Sequence, residues 1–429
     1  MKAYVSKKNL SGSISVPGSK SHTIRAVTIA TLAEGKSIIK NPLPSADGIA
    51  ALKAAELFGS KYTIEENRWI VEGVGSNLKV PNDIVDIDNS GTALYFMTAL
   101  ASLIPEWSVL SGDAQIRKRP IRKLLEALEM LGATAFTTRS EIDASPAVIK
   151  GPIKGGTTKL DGRLSQFVSS ILMVAPMVNG GVRIEVEAPK ETPYIDLTID
   201  WMEKTGISLE YDKENYKYFE VKGPQKYKPF DLTIPSDWSG VAFPLCAGVL
   251  TDSELTIKDL SLEDKQGDAK IVDILIEMGA DITINKNDNS ITVRGGKELK
   301  GKRVNLSNMP DSLPMLSVVA AYAKGVTRFE GVGIARAKET DRVAVMKEAL
   351  TKMGVEIEDD MDSMTIYGGK PLQGATVESY HDHRNAMALS VAGLIAEGET
   401  IVNDVECVKV SFPNFYEAMN NVGAGYILK

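Results

Sequence analysis

Several short stretches of the chain crowd together side chains that could bind an anion and move protons. Ile334-Ala335-Arg336-Ala337-Lys338-Glu339-Thr340-Asp341-Arg342 sets three cations and two carboxylates within one short run, and His381-Asp382-His383-Arg384 adds another. Guanidinium forks suit carboxylates and phosphates, and carboxylates beside them suit proton transfer. The loop Pro17-Gly18-Ser19-Lys20-Ser21-His22-Thr23-Ile24-Arg25 places Lys20 and Arg25 about one helical turn apart, where both can serve one site. Asn89-Ser90-Gly91-Thr92 combines helix-capping residues with a glycine that permits close backbone approach. Arg117-Lys118-Arg119-Pro120 is a dense basic run, and Cys407-Val408-Lys409-Val410-Ser411-Phe412-Pro413 closes the set. Taken singly, each has an ordinary explanation: a solvated turn, an N-cap, a surface salt-bridge helix.

The elements that must carry these residues repeat six times. SISVPGSKSHTIRAVTIATLAEGKSIIKN reads as strand, polar loop, apolar helix, turn and strand, and five later segments follow the same plan. With Lys20, Asn89, Leu164, Asp237, Asp311 and Asp382 as equivalent points, the spacings are 69, 75, 73, 74 and 71 residues. A second helix with a charged face follows in each unit and ends at a glycine, as in ILIEMGADITI, where the left-handed conformation is expected. The repeat is thus roughly β-α-β-α-β-β. Its first helix is apolar nearly all round and should be buried; its second is amphipathic and should face water. Six buried helices entered from Ser-, Asp-, Asn- and Gly-rich loops would present unsatisfied N–H groups and positive dipole ends, which favour anions.

Three repeats predict a first domain over residues 20–235, and three a second over 236–429 joined by residues 1–19. A hinge is expected near 17–20 and 235–238, with a cleft between domains acting as an anion trap. A chain of 429 residues suits two such domains. The net charge of −7 argues against nucleic acid as a general partner. The first residues lack a signal-peptide core and no apolar run is long enough to span a bilayer, so a soluble, cytoplasmic protein is expected. Three histidines and two distant cysteines, Cys246 and Cys407, do not make a metal cluster; both cysteines read as small core residues.

PGSKS…R, NSGT, RKRP, SQ before the third helix, Asp at the fifth, RAKETDR, DHR and SFPNF occur in order and in register. Together they resemble the EPSP synthase family of enolpyruvyl transferases along essentially the whole chain. The resemblance implies an α/β (α+β) two-lobe fold, each lobe built of three β-α-β-α-β-β repeats in pseudo-threefold arrangement around buried helices. It implies carboxyvinyl transfer from phosphoenolpyruvate to the hydroxyl of shikimate-3-phosphate through a tetrahedral intermediate, with no metal or other cofactor, in a monomer. On this basis Lys20, Asp311 and Glu339 match the catalytic positions. Lys20, Gly91, Arg119, Gln166, Arg342 and Arg384 match those that hold phosphoenolpyruvate. Ser21, Arg25, Ser165, Gln166, Tyr194, Asp311 and Lys338 match those that hold the acceptor.

Five positions depart from the family pattern. Tyr95 stands for an Arg, Leu164 for the first of two serines, Glu191 for a serine, Ile334 for an Asn and Val410 for a Lys, with Lys409 one place earlier. Leu164, Glu191 and Ile334 fall where the family holds the acceptor, and a Glu there should repel a phosphate. Two alternatives therefore stand beside the orthodox activity: a paralogous transferase using a different, unphosphorylated cyclic alcohol, and a non-catalytic anion sensor. The related UDP-N-acetylglucosamine enolpyruvyl transferase is disfavoured by Lys20-Ser21 and by the loop Gly112–Arg117, and RNA 3′-phosphate cyclase by the charge and the six repeats.

Overall fold

The computed structural model describes residues 1–429. The chain divides into two compact units: Gly18–Ile234, and Met1–Pro17 together with Pro235–Lys429. Each has its own apolar core.

Each repeat folds around one nearly all-apolar helix. Lys20–Leu32, Gly91–Ala101 and Ser165–Val174 are the first three core helices, and Trp238–Leu250, Leu313–Tyr322 and His383–Gly393 the last three. Burial is continuous along them, every residue of Trp238–Leu250 and His383–Gly393 included, because each is covered by its sheet and its two sister helices. The outer helices are amphipathic, as in Arg122–Met130, where Leu124, Leu125, Ala127 and Leu128 turn inward. They end at glycines in the left-handed region, Gly59 at φ +105° and Gly279 at φ +109° among them. Cys246 lies in the core as expected. Cys407 does not: it is half-buried, with its thiol donating to the Asp404 carbonyl at 3.0 Å.

Six four-stranded sheets share one topology. In the second, Val85–Asp86 runs parallel to Trp107–Ser111, which is antiparallel to Ala147–Lys150, which is antiparallel to Thr134–Thr137. Two sheets borrow their leading strand from across the chain. Ser11–Ser15 precedes the first core helix, yet it pairs in parallel with Glu254–Lys258, Ser11 opposite Glu254. Asp231–Thr233 precedes the fourth core helix, yet it pairs with Glu34–Lys40, Asp231 opposite Ile38. The last sheet is closed by Lys2–Val5, which lies between Thr400–Asn403 and Ile427–Leu428.

One steric rule recurs where the final strand of a repeat crosses the C-terminal end of its core helix. A Cβ on Gly295 would stand 1.7 Å from the Thr251 carbonyl oxygen and 2.5 Å from that of Gly248. Gly73, Gly151, Gly223 and Gly368 meet carbonyls of Ala30, Ser102, Val178 and Ala320 in the same way, at 1.8–2.1 Å. Only a residue without a side chain lets the strand lie against the helix end. Gly295→Ala should therefore force the sheet off the helix. We expect a loss of about 3 kcal/mol or more in urea unfolding, and a loss under about 0.5 kcal/mol would show that the strand shifts freely.

Candidate active site

The equivalent loop positions differ in character between the two units. In the unit Met1–Pro17/Pro235–Lys429 all three are aspartates: Asp237 caps the fourth core helix, Asp311 sits one turn before the fifth, and Asp382 caps the sixth. The core helices pack against one another, so these carboxylates gather at one end of the bundle. Two buried arginines hold them. Arg342, 1% exposed, donates to Asp311 at 2.6 Å, to Glu339 at 2.6 Å and through Nε to Asp382 at 2.9 Å. Arg384, 2% exposed, approaches Asp311 at 3.6 Å and Asp237 at 3.9 Å. Lys338 lies 3.9 Å from Asp311.

Local sequence explains how Arg342 reaches this point. Asp341 caps its helix by accepting from Ala344 N–H at 3.0 Å, so Arg342 is the first helical residue and turns inward. Arg336 from the same motif goes elsewhere, to Asp341 at 2.9 Å and to Asp359. The dense RAKETDR run thus splits into a structural cation, Arg336, and three site residues, Lys338, Glu339 and Arg342. Asp382 carried no role in the sequence reading, yet it anchors Arg342 while accepting from the Arg384 N–H at 2.9 Å and the Thr340 hydroxyl at 3.1 Å. Its place in the Asp-His-Arg motif was the available signal.

Burial disfavours ionisation of Asp311, but Lys338, Arg342 and Arg384 outweigh it and hold the carboxyl well below its ordinary range. Arg384 differs from Arg342 in one respect. Its Nε and Nη1 atoms are buried without any hydrogen-bond partner. A buried guanidinium with idle donors is costly unless an anion completes it.

In the unit Gly18–Ile234 the equivalent positions are Lys20, Asn89 and Leu164, and the cations are arranged differently. Lys20 opens the first core helix and pairs with buried Asp47 at 3.3 Å. One turn on, Arg25 is 1% exposed and braced by Thr198 at 2.8 Å, the Ser21 carbonyl at 3.0 Å, the Tyr194 carbonyl at 2.9 Å and the face of Phe96 at 5.2 Å. Burial pulls its pKa down to about 9, which leaves it cationic at neutral pH. Of the Arg-Lys-Arg run, Arg117 and Lys118 are exposed, while the Arg119 guanidinium lies against Gly91 at the start of the second core helix. A Cβ there would touch it at 3.7 Å. Ser165 and half-buried Gln166 open the third core helix. Asp47, Thr198 and Ser169 were not identifiable in advance, since each contacts its partner only through the fold.

A family model described as EPSP synthase (3-phosphoshikimate 1-carboxyvinyltransferase) matches residues 5–419. The chain belongs to the EPSP synthase family. A protein named 3-phosphoshikimate 1-carboxyvinyltransferase from Ruminiclostridium cellulolyticum is 42% identical over 419 residues, 98% of each chain. One of the same name from Methanosarcina mazei is 40% identical over 427 residues, 99% of this chain and 98% of the other. Among solved structures, the EPSP synthase of Acinetobacter baumannii superposes with a TM-score of 0.84 at 27% identity, covering 100% of this chain and 99% of that one.

The positions that depart from the EPSP synthase pattern have packing roles here. Tyr95 is buried and meets the ring of Phe167 edge-on at 4.9 Å. Ile334 is buried in the short helix Gly333–Ala337. Val410 is half-buried, and Lys409 is exposed. Leu164 occupies the N-cap position of the third core helix and offers no side-chain cap. Glu191 supplies what Leu164 cannot: its carboxylate accepts from the Ser165 N–H at 3.2 Å and the Ser165 hydroxyl at 3.1 Å. The Glu expected from sequence to repel a phosphate also serves as a hydrogen-bonded helix cap.

The Asp311 cluster makes a pH prediction. A depressed folded-state pKa means that stability is fully present above the unfolded value of about 3.9 and is lost as pH falls through the folded value. Asp311→Asn should cost about 2–3 kcal/mol at pH 7, less than a fully buried pair because the side chain is 23% exposed. Urea titrations of both proteins should show the gap closing below about pH 4; a gap constant down to pH 2 would remove Asp311 as its source.

Proposed function

We propose that this chain transfers the carboxyvinyl group of phosphoenolpyruvate to a hydroxyl of shikimate-3-phosphate, releasing phosphate. The observation that carries the reading is Arg384: a guanidinium 2% exposed, beside Asp311, with two N–H donors lacking partners. That is a preformed receptor for a carboxylate. Relatives across essentially the full length bear the name of this activity, which favours it over a paralogue with another acceptor or a sensor without turnover.

The chemistry requires an addition followed by an elimination. The acceptor oxygen attacks C2 of phosphoenolpyruvate and loses its proton, and the methylene carbon C3 gains one, giving a tetrahedral intermediate. C3 then returns a proton, the double bond re-forms and phosphate leaves. We assign these proton transfers to Lys20, Asp311 and Glu339. Arg342 and Arg384 would hold the phosphoenolpyruvate carboxylate as forks, a task a lysine performs less well. Lys20, Arg119, Gln166 and the backbone at Gly91 would hold its phosphate, with the helix N-terminus favouring the negative charge. Ser21, Arg25, Ser165, Gln166, Tyr194, Asp311 and Lys338 would hold the acceptor. The lowered pKa of Asp311 keeps it ionised, so it enters the reaction as a carboxylate. No helix is long and apolar enough to cross a membrane; we take the enzyme to be a cytoplasmic monomer.

Phosphate release from phosphoenolpyruvate tests the assignment. With shikimate-3-phosphate the wild-type chain should release one phosphate per acceptor consumed, and with shikimate far less. Asp311→Asn and Glu339→Gln should each lower kcat by about 100-fold or more. Arg384→Lys should raise the KM for phosphoenolpyruvate by about tenfold or more while the protein stays folded. Release with shikimate alone, or none with either, would overturn the proposal.

A further inference from the structure

Glu191 does more in this structure than end a helix. It is 1% exposed and adopts a left-handed backbone at φ +51°, just before the outer helix Thr192–Lys204. Its carboxylate sits on the first N–H and the hydroxyl of Ser165, and its charge is felt by Arg25. The backbone that carries it is tied to the same arginine, since the Tyr194 N–H bonds the Glu191 carbonyl at 2.9 Å and the Tyr194 carbonyl accepts from Arg25 at 2.9 Å. The donors that would receive an incoming anion therefore already serve an internal one. A phosphate at this helix start must share Ser165 with a buried carboxylate or displace it, and either costs affinity in proportion to the ligand's charge.

We propose that Glu191 is a specificity-determining residue that sets how tightly this enzyme binds a phosphorylated acceptor, by competing for Ser165 and the third core helix. The proposal rests on the assignment of Ser165 and Arg25 to the acceptor. A cap of purely structural value predicts something different. Glu191→Gln keeps the length and an oxygen for the Ser165 N–H, so a structural cap would be nearly indifferent to it, and any effect would not depend on ligand charge.

Calorimetric titration of wild type, Glu191→Gln and Glu191→Ser with shikimate-3-phosphate and with shikimate separates the two. The proposal expects Glu191→Gln to lower the Kd for shikimate-3-phosphate at least tenfold and to leave that for shikimate within about twofold. In steady state the gain should appear in the acceptor KM, with kcat within about threefold. Glu191→Ser should move the same way even if its melting temperature falls. An unchanged or weaker Kd for the phosphorylated ligand, an equal change for both ligands, or no binding of it by any of the three proteins would overturn the proposal. Should wild type bind shikimate-3-phosphate yet release no phosphate from phosphoenolpyruvate, the functional assignment fails while the ratio of Kd values still decides the role of Glu191.

Discussion

Three aspartates at the N-terminal ends of three packed helices, held by two buried arginines, form the arrangement on which the charge balance of the unit Met1–Pro17/Pro235–Lys429 depends. Helix N-termini favour negative charge, so Asp237 and Asp382 are comfortable as caps. Their proximity would be repulsive without Arg342 and Arg384. Neither arginine could be buried without the carboxylates, since an isolated buried charge is far more costly than a paired one. Charge and fold are therefore mutually dependent. The balance is also unequal: Arg342 meets three carboxylates, whereas two donors of Arg384 are buried without a partner.

The other unit solves the problem differently. Its equivalent positions are a cation, an amide and an apolar residue, and its arginine, Arg25, is braced mainly by neutral oxygens of Thr198, Ser21 and Tyr194. Neutral acceptors hold a guanidinium in position without cancelling its charge. Variation at one equivalent loop position thus makes one helix bundle carboxylate-rich, while Arg25 and Arg119 of the other come from outside that position.

Much of this was legible in the sequence because it is local or periodic. The repeat is visible since each copy needs an all-apolar helix followed by an amphipathic one, and the regular spacing fixes which loop residues are equivalent. RAKETDR and the Asp-His-Arg motif marked segments that the fold brings together around Asp311. What could not be read is which partner a charge finds. Arg336 and Arg342 lie six positions apart and look alike, but one meets Asp359 and Asp341 while the other enters the core; the difference depends on a loop and on Asp382. Glu191 is the clearest case. From sequence it is a misplaced charge in a phosphate site, and only a contact across 26 residues reveals it as the cap that Leu164 is unable to provide.

The strands Lys2–Val5 and Ser11–Ser15 carry an implication for synthesis. Lys2–Val5 and Ser11–Ser15 are made before the block Gly18–Ile234, but their partners Thr400–Asn403 and Glu254–Lys258 follow only after it. That intervening block contains all three of its own sheets, including the late strand Asp231–Thr233 that completes its first. It can mature while the chain is still growing. Ser11–Ser15 must wait, its edge unpaired, for Glu254–Lys258, and Lys2–Val5 longer still, for Thr400–Asn403 and Ile427–Leu428, so these strands need shielding from other β-edges during synthesis.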